Sequence, residues 1–386
     1  MIESKQEERE VRIQVQLPRV NPEVYQEAAA CPHCGGEHFK AHGKKGYAKK
    51  VRDVHHEEVS SHRLKCMRCK RTFRVYPEGI SQANQSDHLK GMSVLLYVLG
   101  LSYGGVSDFL KAVGVFIGKT TVYDNVQSAG VASRQQGRSQ GTSAVIGSDG
   151  TYIKVKGVQV GIQVIVDDST QDLLGLELVT SENSPEMVAI LREIAQTVGA
   201  KVLVSDDLDS YKEVADELGL DHQICRKHVK DNVDELVNAL FVQLQDEELM
   251  PQGVASSPEI LAMDLALIQW LIWVRPGNAS GFLRDLYQRY QAAPKPPSGR
   301  RHPIWYRVRM LITRLWNKWK RLTLDQQRDD LDGTNNTSER VIGWWIKERY
   351  RTMRGYKRHE SVKNVVTLTA RMGAQSGRYD LAELYA

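Results

Sequence analysis

A carboxylate at the end of a buried strand is the first feature of this sequence that could do chemistry. Residues 202–204 are Val-Leu-Val, a run typical of a short buried strand. This strand runs into Ser205, Asp206 and Asp207. A carboxylate in this position lies at the edge of a sheet, where a metal ion can reach it. Asp207 and Asp209 compete with Asp206 for this role, and we favour Asp206 because it follows the strand directly. One carboxylate does not make a metal site, so its partners must come from elsewhere in the chain.

Four of the five cysteines form two Cys-x-x-Cys pairs, Cys31 with Cys34 and Cys66 with Cys69. Two residues between ligands let one tight turn direct both thiolates at one ion, so the pairs predict tetrahedral zinc ligation in a zinc ribbon. So small a unit buries little core and needs the metal to fold. A redox pair or free thiols is the alternative. Several histidines are alternative ligands, each expected at the surface instead: His33, His38, His55, His56 and His62.

The elements that carry Asp206 are predicted as strand, strand, strand, helix, strand, helix, strand between residues 144 and 225. That order is typical of the ribonuclease H-like fold, in which the first and fourth strands lie side by side at the sheet centre. Asp149 lies in the middle of the first strand. Neighbouring strands are about 4.8 Å apart, so Asp149 and Asp206 are expected to share a metal site. The alternative for Asp149 is a turn residue before Gly150.

Three amphipathic segments between residues 81 and 141 predict a helix-turn-helix whose recognition helix comes last. Its N-terminal residues would face a DNA groove, and a plain three-helix bundle is the alternative. Those residues are Lys119, Thr120, Thr121, Tyr123 and Asn125. Beyond the sheet the chain reads as mostly helical, and the segment Asn335-Asn-Thr-Ser-Glu339-Arg340 opens a new helix that Thr337 or Ser338 would cap.

The fold class predicted from these patterns is multidomain α/β. It comprises a zinc ribbon, a helix-turn-helix domain, and a ribonuclease H-like core of mixed sheet and helices with an all-α insertion. The predicted segments are residues 1–26, an N-terminal segment; 27–80, the zinc ribbon; 81–140, the helix-turn-helix domain; 141–235, the first part of the core; 236–333, the helical insertion; and 334–386, the C-terminal part of the core.

Basic residues are concentrated in three stretches, although the net charge is only +5. Residues 40–74 contain twelve Lys or Arg and three acids, and residues 295–321 contain nine and no acid. Residues 340–358 contain seven and one acid. Such stretches with interleaved aromatics favour a polyanionic partner over an ordinary solvated surface. The chain has no apolar run of membrane-spanning length and no signal-peptide pattern at its start, so we expect a cytoplasmic, nucleoid-associated protein.

Four motifs, in this order, resemble those of the DD-E transposases of bacterial insertion sequences. They are SDGTYIKV, VSDDLDSY, CRKH and NNTSERVIGWWIKERYRTMRGY. Cys225-x-x-His228 after the second aspartate, and the long helical stretch before Glu339, are similar to the Mutator-like branch. The resemblance covers residues 145–356, and the position of Asp206 five residues before Tyr211 agrees with the family pattern.

The resemblance implies an activity: metal-dependent cleavage and strand transfer of DNA. It implies that Asp149, Asp206 and Glu339 hold two magnesium or manganese ions, with Glu348 as the fallback for Glu339. It also implies that His228 lies near the site and orients a phosphate or nucleophile. Two alternatives stay open for Cys225 and His228. They could be ligands of a further metal, or they could be a packed thiol and a histidine at the start of a helix.

The partner implied is double-stranded DNA, both the element's terminal repeats and the target, bound by a homodimer or higher oligomer. The residues expected to contact DNA are Lys119, Thr120, Thr121, Tyr123, Arg300, Arg301, Arg340, Lys347, Arg349, Arg351 and Arg354. Two other functions stay open. One is a DNA-binding regulator whose ribonuclease H-like core is inert, and the other is a nuclease that cuts without joining.

Overall fold

The computed structural model describes residues 15–44, 46–136, 142–181, 184–244, 258–293, 295, 302–352, 355–374 and 379–385. Within these ranges the chain forms a mixed α/β structure. Small β-sheets at the N-terminus are followed by three helices, a five-stranded sheet, a helical insertion and a C-terminal return of the chain to the sheet. No helix within the described ranges combines the length and the apolar character needed to cross a bilayer.

The N-terminal region consists of short strands joined by turns. They are β1 (Val15–Gln16), β2 (Asn21–Tyr25), β3 (Phe39–Ala41), β4 (Tyr47–Lys50), β5 (Glu58–Cys66), β6 (Thr72–Val75) and β7 (Pro77–Glu78). The long strand β5 pairs antiparallel with β3, β4 and β6. Phe39 at the start of β3 lies opposite Cys66 at the end of β5. This register places the turn before β3 and the turn after β5 at the same end of the sheet.

Three helices follow the ribbon: α1 (Asp87–Val98), α2 (Tyr103–Ala112) and α3 (Lys119–Gln135). Ser86 caps α1 and Ser102 caps α2, because each side-chain oxygen accepts a backbone N–H bond three residues further on. Asn125 of α3 is buried and hydrogen-bonds to Gln85 and Ser93. The expectation that Asn125 faces a DNA groove was therefore wrong, because its amide satisfies polar groups inside the helix bundle.

The central sheet contains β8 (Val145–Val155), β9 (Val158–Asp167), β10 (Leu173–Val179), β11 (Val202–Ser205) and β12 (Asp221–Ile224). Its strand order is β10-β9-β8-β11-β12. The first three strands are antiparallel, while β11 runs parallel to both β8 and β12. The first and fourth strands therefore lie side by side at the sheet centre, which is the order expected of a ribonuclease H-like core.

Helices cover both faces of this sheet. On one face lie α4 (Pro185–Val198) and α5 (Asp209–Leu218), whose Leu191, Ile194 and Val214 pack on Ile146 of β8 and its neighbours. Both helices end at a glycine with positive φ, Gly199 and Gly219. The left-handed conformation suits glycine because it has no Cβ.

The helical insertion has a hydrophobic core of its own. It consists of α6 (Arg226–Leu244), α7 (Pro258–Val274), α8 (Ala279–Tyr290) and α9 (Ile304–Leu322). α6 runs unbroken through the boundary expected between residues 235 and 236, and Val229 and Val233 in its first half already belong to the insertion core. The chain therefore enters the insertion directly from β12.

After the insertion the chain returns to the sheet through α10 (Asn336–Val341), a π-helical turn (Ile342–Lys347), α11 (Glu348–Thr352), α12 (His359–Ala374) and β13 (Tyr379–Asp380). The backbone N-cap of α10 is Asn335. Thr337 and Ser338 lie inside the helix, so the capping residue expected from the sequence was wrong.

The three N-terminal helices do not form a separate core. Val122 and Val126 of α3 share a hydrophobic cluster with Val164 of β9 and with the buried face of α12. α3 approaches α12 closely at Gly130, where a Cβ would lie 2.6 Å from the backbone oxygen of Asn364. These three helices are thus built onto the sheet through α12.

Candidate functional site

The four paired cysteines converge at one end of the ribbon. Sγ of Cys31 lies 3.7 Å from Sγ of Cys69, and Sγ of Cys34 lies 3.8 Å from Sγ of Cys66. All four sulfur atoms lie within 4.8 Å of one another. A tetrahedral zinc ion with Zn–S bonds of about 2.3 Å needs sulfur atoms about 3.8 Å apart. The four thiols therefore fit a structural zinc ion, with Cys31 and Cys66 buried behind it.

Each cysteine knuckle is closed by a residue in the left-handed conformation. Gly35 follows the first pair with φ of +67°, and Lys70 follows the second with φ of +61°. Their backbone N–H groups donate to the carbonyl oxygens of Cys31 and Cys66, at 2.9 and 3.0 Å. These turns explain why two residues between the thiols suffice to direct both at the same point.

The strand register places the two candidate aspartates next to each other. Ser148 of β8 is paired with Ser205 of β11 in a parallel ladder. Asp149 and Asp206 are the next residues on the two strands. β11 ends at Ser205, so Asp206 stands at the carboxyl edge of the sheet. Asp149 continues along β8, and its Oδ1 accepts a 2.8 Å hydrogen bond from the backbone N–H of Gly150.

Glu339 is brought to this edge by the close packing of α10 on β8. Nδ2 of the fully buried Asn335 donates a 2.9 Å hydrogen bond to the carbonyl oxygen of Ser148. Gly147 makes room for the helix, since a Cβ there would lie 2.7 Å from Oγ of Ser338. Glu339 lies in the first turn of α10, and its backbone N–H bonds to the carbonyl of Asn335.

His228 lies between Asp206 and Glu339. Its Nδ1 is 2.6 Å from Oδ1 of Asp206, and its Nε2 is 3.6 Å from Oε1 of Glu339. The Asp206 carboxylate, with a further contribution from Cys225, raises the pKa of His228 to about 11. Nζ of Lys227 lies 3.3 Å from the other oxygen of Glu339. Two cationic side chains from the start of α6 thus meet the two acidic side chains of the sheet edge.

Two carboxylates at this sheet edge offer oxygen ligands to a divalent cation. Oδ1 of Asp206 and Oε1 of Glu339 are buried oxygen atoms, and each faces a ring nitrogen of His228. Magnesium and manganese prefer such oxygen ligands and keep water and phosphate in their remaining positions. Asp206 and Glu339 face His228 from two sides, whereas neither Asp149 nor Glu339 belongs to the group of close ligand atoms that Asp206 forms with Cys225 and His228.

Asp206 and Asp207 point to different surroundings. Asp206 contacts His228, whereas Asp207 forms an ion pair with Lys318 of α9. The Asp207 carboxylate is thereby joined to the insertion, whereas the Asp206 carboxylate faces the start of α6.

Cys225 has a partner that the sequence did not reveal. The ligand atoms of Asp206, Cys225 and His228 all lie within 4.8 Å of one another. Cys225 is fully buried, and its backbone N–H bonds to the carbonyl of Ser205 at 2.8 Å. The Cys-x-x-His motif is therefore joined to the same sheet edge as the carboxylates.

A buried polar network beneath the aspartates was not predicted from the sequence. Nε2 of Gln163 donates to Oγ of Ser148 and to the hydroxyl of Tyr211, at 2.8 and 2.9 Å. On the next strand, Oγ of Ser205 lies 2.9 Å from Nε2 of His222. The one available signal was a glutamine inside the apolar run GIQVIV of β9.

Apart from the buried Arg349, the residues expected to contact DNA fall into three groups. The exposed ones are Lys119, Thr120, Arg340, Lys347 and Arg351. Thr121 and Tyr123 are half-buried, and the hydroxyl of Tyr123 lies 3.0 Å from Oγ of Ser361 in α12. Arg300, Arg301 and Arg354 lie outside the described residues.

Arg349 was wrongly expected to contact DNA. Its side chain is 5% exposed, donates to the carbonyl oxygens of Gly100 and Leu101, and lies 4.0 Å above the ring of Tyr97. A buried guanidinium with these partners joins α11 to the end of α1.

Glu348 lines a cavity of about 380 Å³ with Leu99 and Trp344.

No family model and no curated protein matches the chain. Solved structures similar to it include the HTLV-2 integrase catalytic core domain in complex with magnesium. Its dimeric form has 17% identity and a TM-score of 0.19, covering 29% of this chain and 80% of that chain. Its trimeric form has 16% identity and a TM-score of 0.20, covering 45% and 99%. The simian T-cell lymphotropic virus intasome in complex with PP2A regulatory subunit B56 gamma has 14% identity and a TM-score of 0.20, covering 50% and 74%. TM-scores this low support no conclusion about fold or function. Such conclusions rest here on the strand order and the site geometry.

Proposed function

We propose that the chain is a DNA transposase, a metal-dependent polynucleotidyl transferase that cuts DNA at the ends of its element and joins the cut strand to target DNA. The observation that supports this most is the meeting of Asp206 and Glu339 around His228, next to the strand that carries Asp149. Acidic residues from a central strand and a returning helix thereby face one histidine, and Asp149 follows the residue paired with Ser205 on the neighbouring strand.

The proposed division of roles follows from the chemistry of the side chains. Asp149, Asp206 and Glu339 would hold magnesium or manganese, which when bound stabilises the attacking and leaving oxygens of an in-line displacement at phosphorus. His228 is a positioning residue, because its two ring nitrogens face Asp206 and Glu339 and fix the distance between them. Lys227 adds positive charge beside Glu339, where a DNA phosphate would approach.

DNA binding is assigned to surfaces outside the carboxylate site. Arg340, Lys347 and Arg351 are exposed on the helical segment that follows Glu339. In the ribbon, the guanidinium groups of Arg63 and Arg74 both lie within 6 Å of the ring of Tyr47. Lys and Arg on such surfaces bind phosphates independently of sequence and make affinity fall with salt.

The inert-core regulator has one observation in its favour. Nζ of Lys227 lies 3.3 Å from Glu339 and Nδ1 of His228 lies 2.6 Å from Asp206, so each acidic side chain has a basic neighbour. The transposase and the inert-core regulator predict different effects of divalent ions on these carboxylates. The transposase requires that magnesium or manganese compete for the carboxylates, whereas an inert core leaves them paired with the two cations.

The test compares wild type with Asp149→Ala and Glu339→Ala. Each is assayed for nicking and strand transfer of DNA that carries the element's ends, with magnesium and with EDTA, and for DNA retention. We expect both variants to retain DNA while losing nicking and joining. Wild type that retains DNA but does not cut it with magnesium would support the inert-core regulator, and nicking without joining by wild type would support the nuclease. Cutting at the wild-type rate by both variants would contradict the carboxylate site.

A further inference from the structure

Three side chains with different donor atoms converge at the start of α6. Sγ of Cys225, a ring nitrogen of His228 and a carboxylate oxygen of Asp206 all lie within 4.8 Å of one another. Cys225 is fully buried, whereas the side chains of His228 and Asp206 are 34% and 28% exposed. The cluster therefore has a sulfur atom on its inner side and two ligands that reach towards the solvent.

The backbone between β12 and α6 explains why these side chains meet. The N–H of Cys225 donates a 2.8 Å hydrogen bond to the carbonyl oxygen of Ser205, the residue before Asp206. The carbonyl oxygen of Cys225 accepts a 3.2 Å hydrogen bond from the N–H of Val229, so Cys225 stands at the first turn of the helix. His228 follows three residues later, and side chains at these two positions of a helix start face each other. The Cys-x-x-His spacing thus directs a thiol and an imidazole at one carboxylate.

The donor atoms of this cluster differ from those that magnesium prefers. A thiolate and an imidazole favour zinc and other thiophilic divalent ions, whereas magnesium takes oxygen ligands in octahedral geometry. Tetrahedral zinc places its nitrogen and oxygen ligands about 3.4 Å apart and its sulfur ligand about 3.6 Å from each. The 2.6 Å contact between Nδ1 of His228 and Oδ1 of Asp206 must therefore open by about 0.8 Å. Both side chains are partly exposed and can make this small movement, which leaves the fourth position to water.

We propose that Asp206, Cys225 and His228 form a second metal site, selective for zinc and similar thiophilic divalent ions, and that an ion bound there excludes magnesium from Asp206. The exclusion follows because the two ions share one carboxylate. Nε2 of His228 faces Oε1 of Glu339 at 3.6 Å, and a metal-bound histidine normally donates its other ring N–H to a carboxylate. A thiophilic ion would thus occupy Asp206 directly and hold Glu339 through the imidazole.

The second site should hold its ion less tightly than the ribbon holds zinc. The ribbon supplies four thiols, whereas this cluster supplies three ligands, two of which must move apart. Dialysis against a weak chelator should therefore leave about one zinc ion per chain, the structural ion of the ribbon. Binding at the second site does not depend on the proposed activity, but its consequence, inhibition of nicking by zinc, rests on the proposed function.

The first test is a cobalt(II) titration of the dialysed full chain, which keeps zinc in the ribbon. Cobalt(II) binds such ligands less tightly than zinc does, so it should not displace the ribbon ion. Cys225 is the one cysteine outside the two Cys-x-x-Cys pairs, so a thiolate-to-cobalt absorption band in the near ultraviolet reports on this residue. We expect wild type to show a band that saturates and Cys225→Ser to show none. A wild type without the band, or an unchanged band in Cys225→Ser, would overturn the proposal.

A matched pair of variants tests the site without changing the buried cysteine. Asp206→Asn removes the proposed ligand, and Asp207→Asn changes the neighbouring carboxylate, which pairs with Lys318 instead. We expect Asp207→Asn to bind cobalt(II) with the wild-type Kd and Asp206→Asn to raise that Kd at least about tenfold. Equal Kd values for the two variants would contradict Asp206 as a ligand.

The exclusion of magnesium is tested by adding zinc to the magnesium-dependent nicking assay. Each protein is compared with its own rate without zinc. Zinc should inhibit wild type, and Cys225→Ser should need at least about tenfold more zinc for the same inhibition. A wild type that binds cobalt(II) and nicks equally well with zinc would overturn the exclusion. A wild type that binds cobalt(II) but never nicks would contradict the proposed function while supporting the second metal site.

Discussion

Replacing Asn335 by alanine removes the one described side-chain hydrogen bond that joins the Glu339 helix to the Asp149 strand. Asn335 is fully buried, and its Nδ2 lies 2.9 Å from the carbonyl oxygen of Ser148. Alanine deletes the donor and leaves that carbonyl without this partner. Leaving a buried polar group unpaired costs about 1–3 kcal/mol, so we expect the free energy of unfolding to fall by that amount.

The same change should slow DNA cleavage far more than it weakens DNA binding. Glu339 lies one helical turn after Asn335, and the backbone joins the two residues by a 3.0 Å hydrogen bond. When α10 loosens from β8, Glu339 moves relative to Asp149. A displacement of about 1 Å in a reacting group costs on the order of 100-fold in rate. We therefore expect at least that loss in the rate of nicking.

The matched control is Asn336→Ala, because Asn336 is the next residue and is exposed. Both variants are measured by chemical denaturation, by retention of end-containing DNA and by the initial rate of nicking with magnesium. Asn336→Ala should match wild type in all three. The explanation is refuted if Asn335→Ala and Asn336→Ala have the same stability and the same nicking rate.

Three further predictions concern other parts of the chain. Wild type should contain about one structural zinc ion, which Cys31→Ser loses and Cys225→Ser retains; metal analysis with equal zinc in both variants would contradict the ribbon site. Burial, and then the positive charge of Arg321, lowers the pKa of His222 to about 3. Below pH 6.5 the unfolded chain binds a proton at His222 that the folded chain does not bind. The free energy of unfolding should therefore be highest above pH 6.5 and decrease as the pH drops towards 3. His222→Gln should flatten that slope in denaturation curves, and an unchanged slope would argue against it. Lys119→Ala should weaken DNA binding by the full chain and lower the salt slope by about 0.9 if Lys119 contacts one phosphate; an unchanged slope would exclude that contact.

The central sheet was predictable because its signals are local. Val-Leu-Val before Asp206, the glycine that ends α5, and the order of strands and helices together predict which strands are neighbours. The structure has that strand order, with β8 beside β11. The cysteine pairs were equally readable, since their spacing alone determines that each turn can direct two thiols at one ion.

The contacts that hold Glu339 could not be read from the sequence, because they join residues far apart in the chain. Asn335 bonds to Ser148 across 187 positions, and His228 reaches Glu339 from the start of the insertion. Side-chain direction was also out of reach. Arg349 reads as one more cation in a basic helix, yet the fold turns it onto Tyr97 and away from solvent.

The most direct test of the central claim is the magnesium-dependent nicking rate of Asp206→Ala measured beside that of Asp207→Ala. The two residues are neighbours of the same type, but Asp206 contacts His228 and Asp207 pairs with Lys318 of the insertion. We predict that Asp206→Ala abolishes nicking while Asp207→Ala, which breaks only a partly exposed ion pair, keeps most of it. Loss of nicking in Asp207→Ala alone would contradict the assignment of the second carboxylate, and undiminished nicking in both would contradict the metal site itself.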